Sequence, residues 1–528
     1  MLDTHGMPQK GSVFSMYQKN NVPESFPDCL KHLLTKHSLS ASQLADLLQY
    51  RSKTTLLRVL QGKAGIRCIG NVYSDLCLCK ALELTDEEID RLHTAYEVEL
   101  WGMETYRAKS EMRRLLRKWE FSVRSMVIHT GDGRCISLED FLAQFHPAAA
   151  EDISANAGEG ISADAEDRIS VKKLEVCVLS AGYPDLVSGL ADLLHRFGDR
   201  ISVQHIVPLT GDTARTVRLI RNILPVIGYH NYEVYYNWYE DFAPDPMYSY
   251  SGTGRSIILR AFLPDESTRE FQLLIRDEST GILLEAPGLW QHWMQYAAPY
   301  MEQMQALKIT LPETAEYTAL LEYYGEKERN RECLVFKGDV CFHHIPTEIL
   351  LHALMDSTDD DSILQTLPRL RSLQEKRFQN IMTKRQPTHW VASPAALRQF
   401  AAAGLQKDHF FAMRPFTGEE RLRIFRHLLS LVRENPYYHL YLLRPEEEDS
   451  FIDLEATYLE GAGLQLTSPG THYCIADGWT ETMLMEDGFC RLYREFFLEE
   501  LIPHYTLPQE DTVAFLEEMI RELQEKKE

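Results

Sequence analysis

FPDCLKHLLTKHSLSASQLADLLQYRSKTTLLRVLQGK (Phe26–Lys63) reads as three short helices broken by two turns. Phe26, Leu30, Leu33 and Leu34 recur at helical spacing and define one apolar face. That helix stops near Ser38-Leu39-Ser40, and the next starts after Ser40 or Ser42 with Leu44, Ala45, Leu47 and Leu48 as its apolar set. Serine suits such a start because its hydroxyl accepts a backbone N–H that the helix leaves without a partner. The third helix runs from about Lys53 to Leu60, with Leu56, Val59 and Leu60 inward and Lys53, Thr54, Thr55 and Arg58 outward. Gly62 follows where a helix end favours left-handed backbone.

Charge singles out the same stretch. Between Lys31 and Arg67, seven cations (Lys31, Lys36, Arg51, Lys53, Arg58, Lys63 and Arg67) face one acid, Asp46, so that segment carries +6 inside a chain of net charge −23. Duplex DNA presents closely spaced phosphates, and concentrated positive charge is what displaces their counterions. Three compact helices with a basic, polar outer face on the third fit a helix-turn-helix.

Gln43-Leu44-Ala45 with Leu48, then Lys53-Thr54-Thr55-Leu56 and Gln61-Gly62-Lys63, resembles the phage-repressor (Cro/cI, or XRE-type) helix-turn-helix family. Leu76, Leu78, Ala81 and Leu82 resemble its fourth helix, and Leu84-Thr85-Asp86-Glu87-Glu88 the start of its fifth. The likeness spans roughly residues 25–101. Gln49-Tyr50 departs from the glycine and small apolar residue usual in the turn, and the Ala45–Leu56 spacing is about one residue long. The resemblance implies double-stranded DNA as partner. It places Ser52, Lys53, Thr54, Thr55 and Arg58 toward base edges, and Lys31, Lys36, Arg51 and Lys63 toward phosphates.

Beyond this module, Asp86 to Glu120 reads as one long helix or two abutting ones. Ile89, Leu92, Tyr96, Leu100 and Met103 form a near-heptad stripe that would either pair two protomers into a homodimer or dock on its own chain. Arg113, Arg114, Arg117 and Lys118 add a second basic cluster. Residues 147–170 are small and acidic, and read as a flexible linker. From Lys173 onward strands alternate with helices (LEVCVL, ISVQHIVP and their successors), which predicts a mostly parallel α/β sheet. An ungapped echo at an offset of 200 residues aligns 273–297 with 473–497 through Ile275/Ile475, Asp277/Asp477, Thr280/Thr480, Leu284/Leu484 and Gly288/Gly488. It raises the idea of two related lobes.

The expectation is therefore a multidomain chain: an all-α helix-turn-helix N-terminal domain (25–101), a helical connector (102–146), the linker (147–170), an α/β or α+β lobe one (171–310), a helical connector (311–384), and lobe two with a C-terminal helix (385–528). The 528 residues suffice for such an arrangement. No stretch approaches a membrane span, and the opening residues lack a secretory core. Ten cysteines without a C-x-x-C pair read as reduced thiols of a cytoplasmic protein.

Chemistry motifs are sparse. No G-x-S-x-G, P-loop or H-E-x-x-H occurs, so no catalytic residue, metal or cofactor is assigned. Cys77-x-Cys79 and Cys341-x-His343-His344 read as core or surface residues in preference to metal ligands. The run Tyr229, Tyr232, Tyr235, Tyr236, Trp238, Tyr239 reads as core and solvent stripe before ligand pocket. The Gly211-Asp212-Thr213 and Gly252-Thr253-Gly254-Arg255 turns are weak anion signals. The leading expectation is a bacterial-type, sequence-specific DNA-binding transcriptional regulator whose acidic C-terminal region senses a small-molecule effector or docks a protein partner. The rival is an interaction scaffold whose helix-turn-helix binds protein; a third reading is an enzyme with a DNA-binding appendage.

Overall fold

The computed structural model describes residues 23–117, 127–137, 140–141, 174–179, 184–209, 211–238, 256–262, 268–277, 280–296, 305–310, 322, 325–338, 340, 344–355, 361–383, 385–404, 414–451, 455–469 and 479–525. These residues form two compact units. One holds the described chain up to Arg113 with Asp212–Ala214, and the other holds the rest. The N-terminal unit is helical and the C-terminal unit is α/β with two mixed sheets.

The first unit contains α1 (Phe26–Lys36), α2 (Ala41–Leu47), α3 (Thr54–Leu60), α4 (Ile66–Leu78), α5 (Asp86–Trp101) and α6 (Met103–Leu116). Side-chain caps start several of them. Ser25 accepts from the Asp28 N–H, while Ser40 with Gln43 and Thr85 with Glu88 close full capping boxes. The first three helices end alike. Ser38, Gln49 and Gly62 take positive φ (53°, 57° and 65°). The next residue in each case returns its N–H five positions back: Leu39 to the Leu34 carbonyl, Tyr50 to Ala45 and Lys63 to Arg58. This is the Schellman ending. The turn thus keeps the left-handed geometry that glycine usually supplies, with Gln49 in that slot. Phe26, Leu30, Leu44, Leu56, Val59, Val72, Leu76 and Leu92 bury the inner faces, and the Tyr73 and Tyr96 rings stack at 4.6 Å.

Of one long helix or two abutting ones, the structure has two, α5 and α6, divided at Gly102 (φ 80°). Leu92 is fully buried and Tyr96 packs on the core. The near-heptad stripe therefore docks on its own chain over those positions, leaving Leu100 exposed.

The second unit corrects two segments expected to be helical connectors. Within 102–146 lie β1 (Val127–Thr130) and β2 (Cys135–Ser137). Within 311–384 lies β11 (Cys333–Phe336), a central strand. A three- or four-residue strand is too short to show periodicity; its pairing comes from distant partners. The linker expected at 147–170 lies outside the described residues.

The first sheet runs β2-β1-β8-β7-β6-β3-β4-β5-β9 and the second β10-β16-β15-β14-β11-β12-β13. Its strands are β3 (Leu174–Leu179), β4 (Ile201–Leu209), β5 (Tyr232–Trp238), β6 (Ser256–Phe262), β7 (Thr268–Asp277), β8 (Thr280–Glu285) and β9 (Gln305–Ala306). The second sheet uses β10 (Lys308–Thr310), β11, β12 (Thr388–Ala392), β13 (Tyr438–Leu442), β14 (Glu455–Leu459), β15 (Gly463–Pro469) and β16 (Trp479–Leu484). Both repeat one path. Three parallel strands (β3, β4, β5; β11, β12, β13) come first, and three antiparallel strands then add beside the first of them. A helix closes each path: α9 (Leu289–Tyr296) after β8, and α14 (Asp487–Phe496) after β16. The offset-200 echo falls on this last strand and helix in both halves. The second path begins at β11, so lobe two starts well before residue 385.

Helices cross between the parallel strands: α7 (Pro184–Phe197) and α8 (Thr213–Ile227) in the first path, α10 (Thr347–Met355), α11 (Asp361–Thr383), α12 (Pro394–Ala403) and α13 (Gly418–Glu434) in the second. The C-terminal α15 (Gln509–Glu525) packs Phe515, Leu516 and Met519 into the second core. Residues 305–310 join the sheets edge to edge. The Leu307 N–H donates to the Val234 carbonyl, and the Met485 N–H donates to the Leu307 carbonyl.

Candidate nucleic-acid interface

The candidate surface is built on α3. Leu56 and Val59 are buried, which turns Lys53, Thr54, Leu57, Arg58 and Gln61 to solvent and leaves Thr55 half-buried. Ser52 accepts from the Thr54 N–H at 3.1 Å, and the two hydroxyls share a 2.7 Å hydrogen bond. Beside α3 lies a cleft of about 900 Å³, with Arg51, Ser52 and Thr55 on one wall and Ile66, Arg67 and Asn71 of α4 on the other. Its floor is tied by the Tyr50 hydroxyl, which donates to Asp75. Burial, reinforced by Asp75, holds the Tyr50 phenol well above its ordinary range, so it stays a donor.

The nine residues singled out by sequence do not share one environment. Arg51, Ser52, Lys53, Thr54, Thr55, Arg58 and Lys63 lie on α3 or the turns flanking it, and all but Thr55 are exposed. Arg51, Lys53, Arg58, Lys63 and also Arg67 have no ion pair among the described residues. The other two lysines are paired within the domain. Lys31 Nζ lies 2.7 Å from Asp28 and Lys36 Nζ lies 2.9 Å from Glu88. Lys36 therefore helps clamp α1 to α5. Glu88 also meets His37 at 2.8 Å and the Thr85 N–H at 2.8 Å. Burial opposes its ionisation, but these donors outweigh that and hold the carboxyl at about 2.

Arg67, Asn71, Leu57 and Gln61 were not assigned to the site by sequence. Arg67 was visible as charge alone. The others lacked a signal, because helix phase and the neighbouring helix decide which side chains face the cleft.

In the second basic cluster, Arg113 and Arg117 are spent internally. Arg113 pairs with the buried Glu97 and lies over the Trp101 ring, while Lys109, 1% exposed, sits 4.1 Å from that ring's centre. Arg117 pairs with Glu447 at 3.6 Å and covers Tyr505. Lys118 lies outside the described residues.

The remaining candidates fall in varied surroundings where they are described. Cys77 and Cys79 are half-buried beside the first core. His344 is fully buried between Trp390 and Tyr438, and Cys341 and His343 lie outside the described residues. Tyr229, Tyr232 and Tyr236 are buried, Tyr235 is half-buried, and the side chains of Trp238 and Tyr239 lie outside the described residues. Gly211 and Asp212 are exposed ahead of α8, and Gly252–Arg255 lie outside the described residues. Among the described residues no group of three His, Cys, Asp or Glu is placed to hold a metal ion, and no helix is long and apolar enough to cross a membrane.

No family model matches the chain, and no curated protein matches it. Two solved structures show distant likeness. Polyphosphate kinase from Porphyromonas gingivalis is 9% identical over 67% of this chain and 51% of its own, with a TM-score of 0.19. Phosphatidylserine synthase from Haemophilus influenzae Rd KW20 is 10% identical over 80% of this chain and 98% of its own, with a TM-score of 0.23. This chain thus spans about half the length of the kinase. Likeness this slight carries no argument about either fold or chemistry.

Proposed function

We propose that this protein is a sequence-specific regulator that binds double-stranded DNA through a phage-repressor-type helix-turn-helix, with α3 as the recognition helix. The observation that carries the reading is the set of five cations without ion pairs (Arg51, Lys53, Arg58, Lys63, Arg67) on and around the solvent face of α3, in a chain of net charge −23. Cations held free of acidic partners keep their full attraction for phosphate. Arg58, central on the outer face, is the residue to read guanine; Arg51, Lys63 and Arg67 flank it at phosphate positions. The acidic C-terminal unit then serves sensing of an effector or docking of a partner, since its net charge repels nucleic acid.

The test is a mobility-shift titration of the whole protein against genomic fragments over a series of salt concentrations. Specific binding should appear, with log affinity falling against log salt by about 0.9 per phosphate contact. Lys53→Ala with Arg58→Ala should abolish the specific band without altering the fold. Exposed Leu57 and Ile66 favour the rival scaffold reading, in which the same face binds protein. Binding that ignores both substitutions and salt would decide for the rival.

A further inference from the structure

α3 carries an apolar element on its outward side that charge does not explain. Leu57 is 37% exposed although Leu56 and Val59, its neighbours on the helix, are fully buried. A lone exposed leucine is ordinary on a protein surface. Here, however, it stands between Thr54, three residues before it, and Gln61, four residues after it, which places all three on one stripe beside Arg58. Thr54 contributes to the same stripe in an unexpected way. Its hydroxyl shares a 2.7 Å hydrogen bond with that of Ser52, and its exposed side chain offers a ligand a methyl as well.

A face made of a methyl, an isobutyl group, a carboxamide and a guanidinium matches a particular set of base edges. The thymine C5-methyl is the one apolar feature in the DNA major groove, guanine takes a bidentate arginine, and adenine takes a bidentate glutamine. From Thr54 to Gln61 the helix advances about 10 Å, the length of about three base pairs. Resting on the DNA-binding reading above, we infer that α3 reads a short, thymine-containing core. Leu57 and Thr54 pack on thymine methyls, Arg58 holds a neighbouring guanine, and Gln61 an adenine. The unpaired cations around the stripe argue for duplex DNA as its occupant over a second apolar surface, because an apolar partner would have to bury them without compensation.

The experiment selects a duplex from a randomised pool by binding to the whole protein, then replaces each thymine of the selected site by deoxyuridine, which removes the methyl alone. Wild type should lose about three- to fivefold in affinity at one or two positions, the scale of one buried methyl group. Leu57→Ala should be indifferent to the replacement at one of them. Thr54→Ser, which keeps the hydroxyl that meets Ser52, should be indifferent at the other. Lys53→Ala should weaken thymine and uracil duplexes equally. Circular dichroism of each variant verifies the fold, and both substitutions lie off the core. A selected site whose thymines all tolerate replacement, or a Leu57→Ala protein with wild-type discrimination, overturns this inference and leaves DNA binding intact. A pool that yields no enriched duplex overturns the DNA-binding reading itself.

Discussion

Two basic clusters in the N-terminal part of the chain look alike as charge and differ in fate. Around α3, five cations point outward and carry no ion pair among the described residues. On α6, Lys109 and Arg113 pack on Trp101, and Arg113 pairs with Glu97. The difference lies in helix phase and in partners. Lys109 falls on the same side of α6 as the buried Ala108, Met112 and Leu116, so its charge must be met from within. Arg58 falls opposite Leu56 and Val59, so its charge faces water. A count of basic residues is therefore no measure of a nucleic-acid surface until their direction is known.

The largest effect should come from the inner cluster. Arg113→Ala takes the guanidinium from the buried Glu97 carboxylate and leaves it His93 at 3.3 Å, so the loss should approach about 3–5 kcal/mol, that of a broken buried pair. Chemical denaturation should register that loss, while the DNA affinity of the folded fraction stays at the wild-type value. If instead affinity falls and stability holds, the contrast between the clusters collapses.

Arg58→Ala should show the reverse. Stability should change by less than about 0.5 kcal/mol, because the side chain is exposed. Affinity for a selected duplex should fall by about tenfold to a hundredfold, the weight of one guanine contact.

Glu88 sharpens the boundary, since it draws Lys36 from the outer set to the inner one. Its carboxyl is held at about 2 in the folded protein against 4.5 for the free group. A depressed carboxylate contributes stability that is complete above 4.5 and drains away as pH falls toward 2. Glu88→Gln should cost about 1–2 kcal/mol at neutral pH and flatten the loss of stability between pH 4.5 and 2. Lys36→Ala should leave the salt dependence of DNA binding unchanged, whereas Lys63→Ala should lower its slope by about one.

The smallest effect tests the turn that carries Arg51. Gln49 holds a left-handed conformation (φ 57°) that a side chain disfavours. Gln49→Gly should stabilise the domain by about 1 kcal/mol in thermal melts, with DNA affinity unaltered.

Much of the N-terminal unit was legible from residue order. The three helices, the Ser40 and Thr85 caps and the Gly62 ending all depend on neighbours within a few positions, and such neighbours print a period. The Gln49 turn was legible as a departure but not in its outcome, because a Schellman ending can absorb a non-glycine residue at a cost. Of the site, Lys53, Thr54 and Arg58 were readable from helical phase. The pairing of Lys36 was not readable, because Glu88, fifty-two positions away in sequence, reaches it through the packing of α5 on α1.

In the C-terminal unit, the alternation of strands and helices and the offset-200 echo of a strand followed by a helix were set by the chain itself, since apolar periods and turn residues are local. Pairing of β11 with β12 and β14, recruitment of β1 beside β8, and the backbone join at Leu307 were decided by the folded structure alone. Strands of two to four residues carry too few side chains to declare themselves. Their hydrogen-bond partners lie tens to hundreds of residues away, where no sequence period reaches.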